Sequence, residues 1–297
     1  MKEDGVMFTS KARQPFSALS YRPELDDSIL CESDQIRYFQ NLIGMLRWAI
    51  EIGRVDIQFE VSCLSRYLMQ PRMGHVQQAL NVFNYLKYHN RSFILYDTRK
   101  IKINWTTNNI ECSLWYRASA MKELYTDAVE DLPSNAPEPR GKSVQINCFV
   151  DADHAGDKIT RMSQTGILIY LNQTPIIWFS KKKSTVESST FGSEFVALRI
   201  ATEKIIALRY KLRMFGVPLD GPAQVFSDSE SVVKNSSNPE SRINKKHLSC
   251  AYHKVRENIA AGTIIVFFES GATNIADILT KSLPPEKRKL LMNGIFG

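Results

Sequence analysis

The pattern of apolar positions divides the chain into parts with different periods. From Ile36 to Tyr96, apolar residues recur at the i, i+3, i+4 and i+7 spacing of amphipathic helices. The residues in this pattern are Phe39, Leu42, Ile43, Leu46, Ile50, Val76, Leu80, Phe83 and Leu86. Residues 1–35 are polar and rich in turn formers, and we interpret them as an extended lead-in. The pattern therefore predicts a compact helical unit over residues 36–98.

Residues 99–142 have a mixed pattern and end in the proline-rich stretch "DLPSNAPEPRGK". We interpret this segment as a linker or connection, and the pattern changes again after it. Beyond it, the alternation in "VQINCFVD" and the runs "GILIYL" and "PIIWFS" predict three successive strands. Further along, the expected elements are a helix at 191–215, a strand at 223–227, a helix at 247–261, a strand at 263–268 and helical segments from 274. Residues 143–297 therefore form a predicted α/β domain with a mixed sheet flanked by helices.

Composition narrows the classes of function. The chain has 297 residues, of which 43% are hydrophobic, which is enough for two domains. Its formal net charge of +7 fits a polyanionic partner. The five cysteines are widely separated and never form CxxC, so neither a disulfide framework nor a zinc site is indicated. Apolar runs such as 264–268 have the length of strands, and we expect no membrane span and no export signal.

Two of the candidate functional carboxylates follow predicted strands. Asp151 closes the first strand and points away from its apolar face, while Asp228 ends the strand "AQVFSD". Taken alone, Asp151 could be a turn aspartate and Asp228 an N-cap that opens a short helix.

The other two carboxylates belong to helical segments. Glu194 falls on the stripe of Ala197, Leu198, Ala201, Ile205 and Leu208 that should face the sheet, although a first-turn glutamate is also favoured by the helix dipole. Asp277 stands three residues after Asn274 and could simply complete a capping box. If all four acids converge at one edge of the sheet, they would repel one another without bound cations. Such a site suits Mg²⁺ or Mn²⁺, and two such ions about 3.5–4 Å apart can cleave phosphodiesters.

Four ordered blocks carry a family resemblance: "CFVDADHAGD", "SSTFGSEFVAL", "VFSDSESVV" and "GATNIADILTKSL". Together they resemble the RNase H domain of copia-type LTR retrotransposon polyproteins. The resemblance implies an RNase H-like fold that hydrolyses the RNA strand of RNA–DNA hybrids with two Mg²⁺ ions, for which Mn²⁺ can substitute. It implies that Asp151 coordinates both ions. It also implies that Glu194 and Asp228 coordinate the ion beside the attacking water and that Asp277 coordinates the second ion.

The upstream blocks "YRPELDDS", "YFQNLIGMLRWAIEIGRVDI" and "NVFNYLKYHN" resemble the thumb and connection at the end of the reverse transcriptase. The palm and fingers are not recognised, so polymerase activity is not expected. The implied partner is the polymerase portion of the same polyprotein, and the implied location is cytoplasmic particles, with the nucleus as an alternative. Two departures from the family are His154, where an aromatic residue is usual, and the lack of a histidine between Phe268 and Asp277.

Basic residues beside aromatic ones are the candidates for contact with the hybrid. Trp178 precedes Lys181, Lys182 and Lys183 in "WFSKKKS", and a second basic cluster contains Lys245 and Lys246. The alternative interpretation makes Trp178 a core residue and the lysines a solvated strand edge. Arg47, Trp48 and Arg54 are further candidates for guiding a duplex.

Two other functions remain open at this point. A catalytically inactive nucleic-acid-binding remnant of a reverse transcriptase/RNase H polyprotein would share the same sequence blocks. An integrase-like nuclease of the same fold would need only three acids.

Overall fold

The computed structural model describes residues 12–100, 119–243 and 245–296. Three helices form the predicted helical unit: α1 (Ser33–Glu51), α2 (Gln58–Leu64) and α3 (Met73–Tyr88). Helix α1 begins three residues before the predicted start. The predicted apolar stripe lies between these helices, with Phe39 and Leu46 fully buried.

The described part of the lead-in, residues 12–32, folds onto the helical unit and is not a free extended segment. Phe16 is buried in the core of that unit, and the Ser17 amide donates to the Gln78 side chain over 2.9 Å. A 3₁₀ turn at Pro23–Leu25 follows, and the Glu24 carboxylate accepts a hydrogen bond from the Lys158 amide in the sheet domain. The lead-in therefore joins the two parts of the molecule.

The predicted α/β architecture, a mixed sheet flanked by helices, is confirmed. Its strands are β1 (Ile146–Asp153), β2 (Gln164–Leu171), β3 (Thr174–Lys182), β4 (Ala223–Ser227) and β5 (Ile264–Phe268). In the part of the chain that the structure describes, they form one sheet in the order β3-β2-β1-β4-β5. The first three strands are antiparallel neighbours, whereas β4 pairs parallel to β1, and β5 pairs parallel to β4.

Both faces of the sheet are covered, which explains why the central strands are apolar in nearly every position. One face carries α4 (Thr190–Met214), α5 (Glu230–Ser237) and α6 (Ser249–Ala260). The other carries a 3₁₀ helix (Ile275–Leu279), α7 (Pro285–Met292) and part of the helical unit. Strand β2 shows this division, because Ile167 and Ile169 face α4 while Leu168 and Tyr170 face the 3₁₀ helix. Each helix in the described ranges is too short or too polar to cross a bilayer.

The segment interpreted as a linker, residues 99–142, contributes to the sheet domain in its described part, and residues 101–118 lie outside the description. Met121 is fully buried in the core beneath α4. The Glu130 carboxylate accepts hydrogen bonds from Arg209 at 2.7 Å and from Arg213 at 2.7 Å, both on α4. Residues 119–130 are therefore anchored and do not act as a flexible spacer.

Candidate active site

Asp151 and Asp228 come together because their strands are parallel neighbours. Val150 pairs with Ser227 in the register of β1 and β4, so the two aspartates, each next in sequence, lie side by side where this pairing ends. The prediction that Asp151 closes its strand is wrong, because β1 continues to Asp153 through its pairing with β2. Asp151 is buried and Asp228 is half-buried. The alternative role for Asp228 is not observed, because Ser229 occupies the N-cap position of α5.

Glu194 reaches this point from the fifth position of α4, so the alternative interpretation as a first-turn glutamate is not observed. The helix begins after Ser189, whose hydroxyl caps the Gly192 amide at 3.2 Å. The predicted inward stripe is confirmed, since Ala197, Leu198, Ala201 and Ile205 are fully buried. Carboxylate oxygens of Asp151, Glu194 and Asp228 lie within 4.8 Å of one another. Glu194 Oε2 is buried without a hydrogen-bond partner. A bound cation would satisfy this buried oxygen.

Asp277 is buried nearby, but its carboxylate is already in contact with two ammonium groups. Its Oδ1 lies 2.6 Å from Lys281 Nζ, and its Oδ2 lies 2.5 Å from Lys287 Nζ. Asn274 alone caps the 3₁₀ helix, accepting from the Ala276 amide at 3.1 Å, so the capping-box role predicted for Asp277 is not observed.

Lys281 connects Asp277 to Asp151. Its ammonium lies 3.7 Å from Asp151 Oδ2, and the Thr280 hydroxyl donates a hydrogen bond to the same oxygen. The sequence arguments missed Lys281, although it stands four residues after Asp277 inside "ADILTK" and so shares a helical face with it.

The electrostatics of the cluster favour either protonation or a bound cation. Burial, partly offset by Lys281 and reinforced by Asp277, raises the pKa of Asp151 to about 7. Burial followed by the charges of Asp151 and Asp228 raises the pKa of Glu194 well above its usual value. Burial and the charge of Asp277 also raise the pKa of Asp228. These hard oxygen donors fit divalent Mg²⁺ or Mn²⁺, whose charge would relieve the repulsion.

Ser193 lies between the cluster and two neighbouring basic side chains. Its hydroxyl is 2.8 Å from His154 Nδ1, and its carbonyl accepts a 2.6 Å hydrogen bond from Lys183 Nζ. Lys183 is buried, which lowers its pKa to about 8. The prediction that Lys183 contacts phosphate is therefore corrected, because its ammonium points inward and holds the start of the helix that carries Glu194.

The other predicted nucleic-acid contacts divide between buried and exposed positions. Trp178 is half-buried against the cores of both the helical unit and the 3₁₀ helix, as its alternative interpretation as a core residue expects. Lys182 Nζ is 2.9 Å from Asp157 Oδ2, and Lys245 donates to the Ser189 hydroxyl. Lys181 and Lys246 are exposed.

Lys181 shares a groove with Arg47 and Arg66 between the helical unit and β3. Of the upstream candidates, Trp48 is exposed, whereas Arg54 forms a bidentate pair with Asp56 at 2.9 and 2.7 Å. The groove therefore presents Arg47 and Lys181 as its exposed basic side chains.

No protein-family model matches the chain. Comparison with known proteins finds several that are similar to it in sequence or structure. It is 23% identical over 245 residues to the "Retrovirus-related Pol polyprotein from transposon RE1" of Arabidopsis thaliana, an alignment that covers 82% of this chain and 14% of that polyprotein. It is 36% identical over 175 residues to the "Secreted RxLR effector protein 161" of Plasmopara viticola, covering 59% of this chain and 94% of that protein. Among solved structures, "LC11-RNase H1 in complex with RNA/DNA hybrid" matches 46% of this chain and 94% of its own with 18% identity and a TM-score of 0.38.

Proposed function

Since this chain belongs to the family of copia-type LTR retrotransposon Pol polyproteins and fits their RNase H region, we propose that it hydrolyses the RNA strand of RNA–DNA hybrids during reverse transcription. The reaction uses two divalent cations, Mg²⁺ by preference. The partner in the particle is the polymerase portion of the same polyprotein, and the location is the cytoplasm.

The observation that carries this proposal is the cluster of Asp151, Glu194 and Asp228, in which one carboxylate oxygen from each residue lies within 4.8 Å of the others and Glu194 Oε2 is buried without a hydrogen-bond partner. An isolated buried carboxylate oxygen is costly unless it is protonated or coordinates a cation. Asp151, Glu194 and Asp228 would hold one ion, while Asp151 and Asp277 would hold the other. When bound, the ions supply an activated water and neutralise charge on the scissile phosphate.

The protein's own residues fix the ligands before substrate arrives. The Thr280 hydroxyl orients Asp151, and the Lys183–Ser193 hydrogen bond fixes the first turn of α4 and with it Glu194. In the groove beside β3, exposed Lys181 and Arg47 offer phosphate contacts that need no base sequence.

The test uses the purified chain with a labelled RNA–DNA hybrid, an RNA duplex and a DNA duplex, each in Mg²⁺, Mn²⁺ or EDTA. Two matched variants of α4 accompany the wild type. Glu194→Gln removes the inward carboxylate, whereas Glu203→Gln removes an exposed one that pairs only with Arg199. We expect metal-dependent cleavage of the hybrid's RNA strand, a loss of more than about 100-fold in Glu194→Gln and near-normal cleavage in Glu203→Gln.

Each contrary result identifies another function. If the hybrid is bound in a salt-sensitive manner but is never cut in either metal, the chain is the inactive nucleic-acid-binding remnant. If the DNA duplex is cut instead of the hybrid's RNA, the integrase-like nuclease is correct.

A further inference from the structure

The four carboxylates are neutralised unevenly by the protein itself. On one side, both oxygens of Asp277 contact ammonium groups, and one of these groups, Lys281 Nζ, is also 3.7 Å from Asp151 Oδ2. On the other side, Glu194 Oε2 has no hydrogen-bond partner. A cation that approaches the Glu194 side meets a free oxygen, whereas one that approaches between Asp151 and Asp277 meets the charge of Lys281.

We propose that Lys281 is a displaceable internal cation that occupies the position of the second metal ion. The proposal rests on the function proposed above and deepens it by ordering the two ions. The first ion binds at Asp151, Glu194 and Asp228 with Lys281 in place. The second binds only after the ammonium of Lys281 has left the space between Asp151 and Asp277.

The surroundings of Lys281 allow this displacement. Its side chain is 40% exposed, so the four-carbon stem can carry the ammonium into solvent without opening the core. Lys287 is held differently, because its Nζ also donates to the Gly271 carbonyl at 2.9 Å. When Lys281 leaves, Lys287 still positions Asp277 for its role as a ligand.

The polyanionic substrate supplies a reason for Lys281 to move. A phosphate beside the cluster offers the ammonium a new anionic partner outside the carboxylates. Second-ion binding is then coupled to hybrid binding, so the complete metal site forms when the substrate is present. In the free protein, Lys281 limits repulsion among carboxylates that would otherwise face one another without a second cation.

The experiment measures Mn²⁺ binding to the full chain in the absence of nucleic acid, from the electron paramagnetic resonance signal of free Mn²⁺. The variants are Lys281→Met, which keeps the apolar stem but removes the charge, Lys281→Arg, which keeps the charge, and Lys254→Met, which removes an exposed lysine on α6. We expect the wild type, Lys281→Arg and Lys254→Met to bind one ion tightly and a second at least tenfold more weakly. Lys281→Met should bind two ions of comparable affinity.

The proposal is overturned if the wild type binds two equal ions or if Lys281→Met keeps the unequal pair. If Lys281→Met does not fold, Lys281→Gln is titrated under the same conditions and judged by the same criterion. Failure of the proposed function gives different results. If Mn²⁺ binds as expected but no hybrid is cleaved, only the proposed ribonuclease function is wrong. If the wild type binds no Mn²⁺, both proposals are wrong.

Discussion

The guanidinium of Arg288 in α7 donates a 2.9 Å hydrogen bond to the carboxylate of Glu60 in α2, although the two residues are 228 positions apart in sequence. Both side chains are buried, and Arg288 also donates to the Asp56 carbonyl and lies over the ring of Tyr85. This ion pair joins the helical unit to the last helix of the sheet domain. We therefore expect the two parts of the molecule to unfold together.

Replacing one partner of this pair should be costly because it leaves the other charge buried and unpaired. Arg288→Leu should lower the free energy of unfolding by about 3–5 kcal/mol, and the double variant with Glu60→Leu should recover part of that loss. Urea unfolding followed by circular dichroism measures both. As a control, Lys234→Leu removes an exposed helical pair with Glu230 and should cost under about 0.5 kcal/mol. If Arg288→Leu and Lys234→Leu lowered the free energy of unfolding equally, the structural role of Arg288 would be contradicted.

Gly166 is the residue opposite Asp151 in β2, and it permits the 3₁₀ helix to approach the sheet. A Cβ at this position would lie 2.6 Å from Thr280 Cγ2 and 2.9 Å from the Ala276 carbonyl oxygen. Gly166→Ala should therefore destabilise the protein by about 1–3 kcal/mol and move Thr280 and Asp277 away from Asp151. Urea unfolding and Mn²⁺ titration together measure the two effects.

Gly44→Ala is the matched control, because a Cβ at Gly44 in α1 would have no neighbour within 4 Å. It should stabilise the helix by about 0.5–1 kcal/mol and leave Mn²⁺ binding unchanged. A Gly166→Ala variant as stable as wild type would show that the 3₁₀ helix can shift without cost.

Lys181 and Lys183 should differ in function although they are two residues apart. Lys181→Ala removes an exposed charge in the groove and should weaken hybrid binding, reducing the slope of log affinity against log salt by about 1. Lys183→Met removes the charge-assisted hydrogen bond to the Ser193 carbonyl and should instead lower stability by about 1–3 kcal/mol. Fluorescence anisotropy at several KCl concentrations, paired with thermal unfolding, separates the two outcomes. If Lys183→Met reduced the salt slope and Lys181→Ala did not, the predicted phosphate contact of Lys183 would be supported after all.

The acid stability of the fold should depend on Asp157. Burial opposes ionisation, but the hydrogen bonds from Lys182 and the Thr160 amide lower the pKa of Asp157 to about 2. Because the unfolded pKa is near 4, the stabilisation is fully present above about pH 4–5 and is lost as pH falls towards 2. Asp157→Asn should therefore cost about 2 kcal/mol at pH 7 and progressively less below pH 4.

Chemical unfolding of wild type and Asp157→Asn across pH 3–7 measures this difference. Asp220→Asn serves as the control, since Asp220 is an exposed carboxylate that pairs with Lys100 on the surface. A cost for Asp157→Asn that stays constant from pH 7 to pH 3 would contradict the assigned ion pair.

The sequence alone determined the elements and the catalytic candidates. Periodicity is local, so the stripe from Phe39 to Ile50, the strand that carries Asp151 and the strand that precedes Asp228 could be recognised without a structure. The resemblance in four ordered blocks then selected Asp151, Glu194, Asp228 and Asp277 as a group. The grouping of the first three in one cluster agrees with that selection, while their role as metal ligands remains a prediction.

Only the tertiary structure decided which charges face one another. Lys183 lies two residues after exposed Lys181 in sequence, yet its ammonium reaches the Ser193 carbonyl because β3 ends beside the start of α4. Lys281 lies 130 positions after Asp151, and Glu60 lies 228 positions before Arg288. Contacts of this kind depend on how strands and helices pack, and the energy of a charge depends on its burial and neighbours, neither of which is encoded by local spacing.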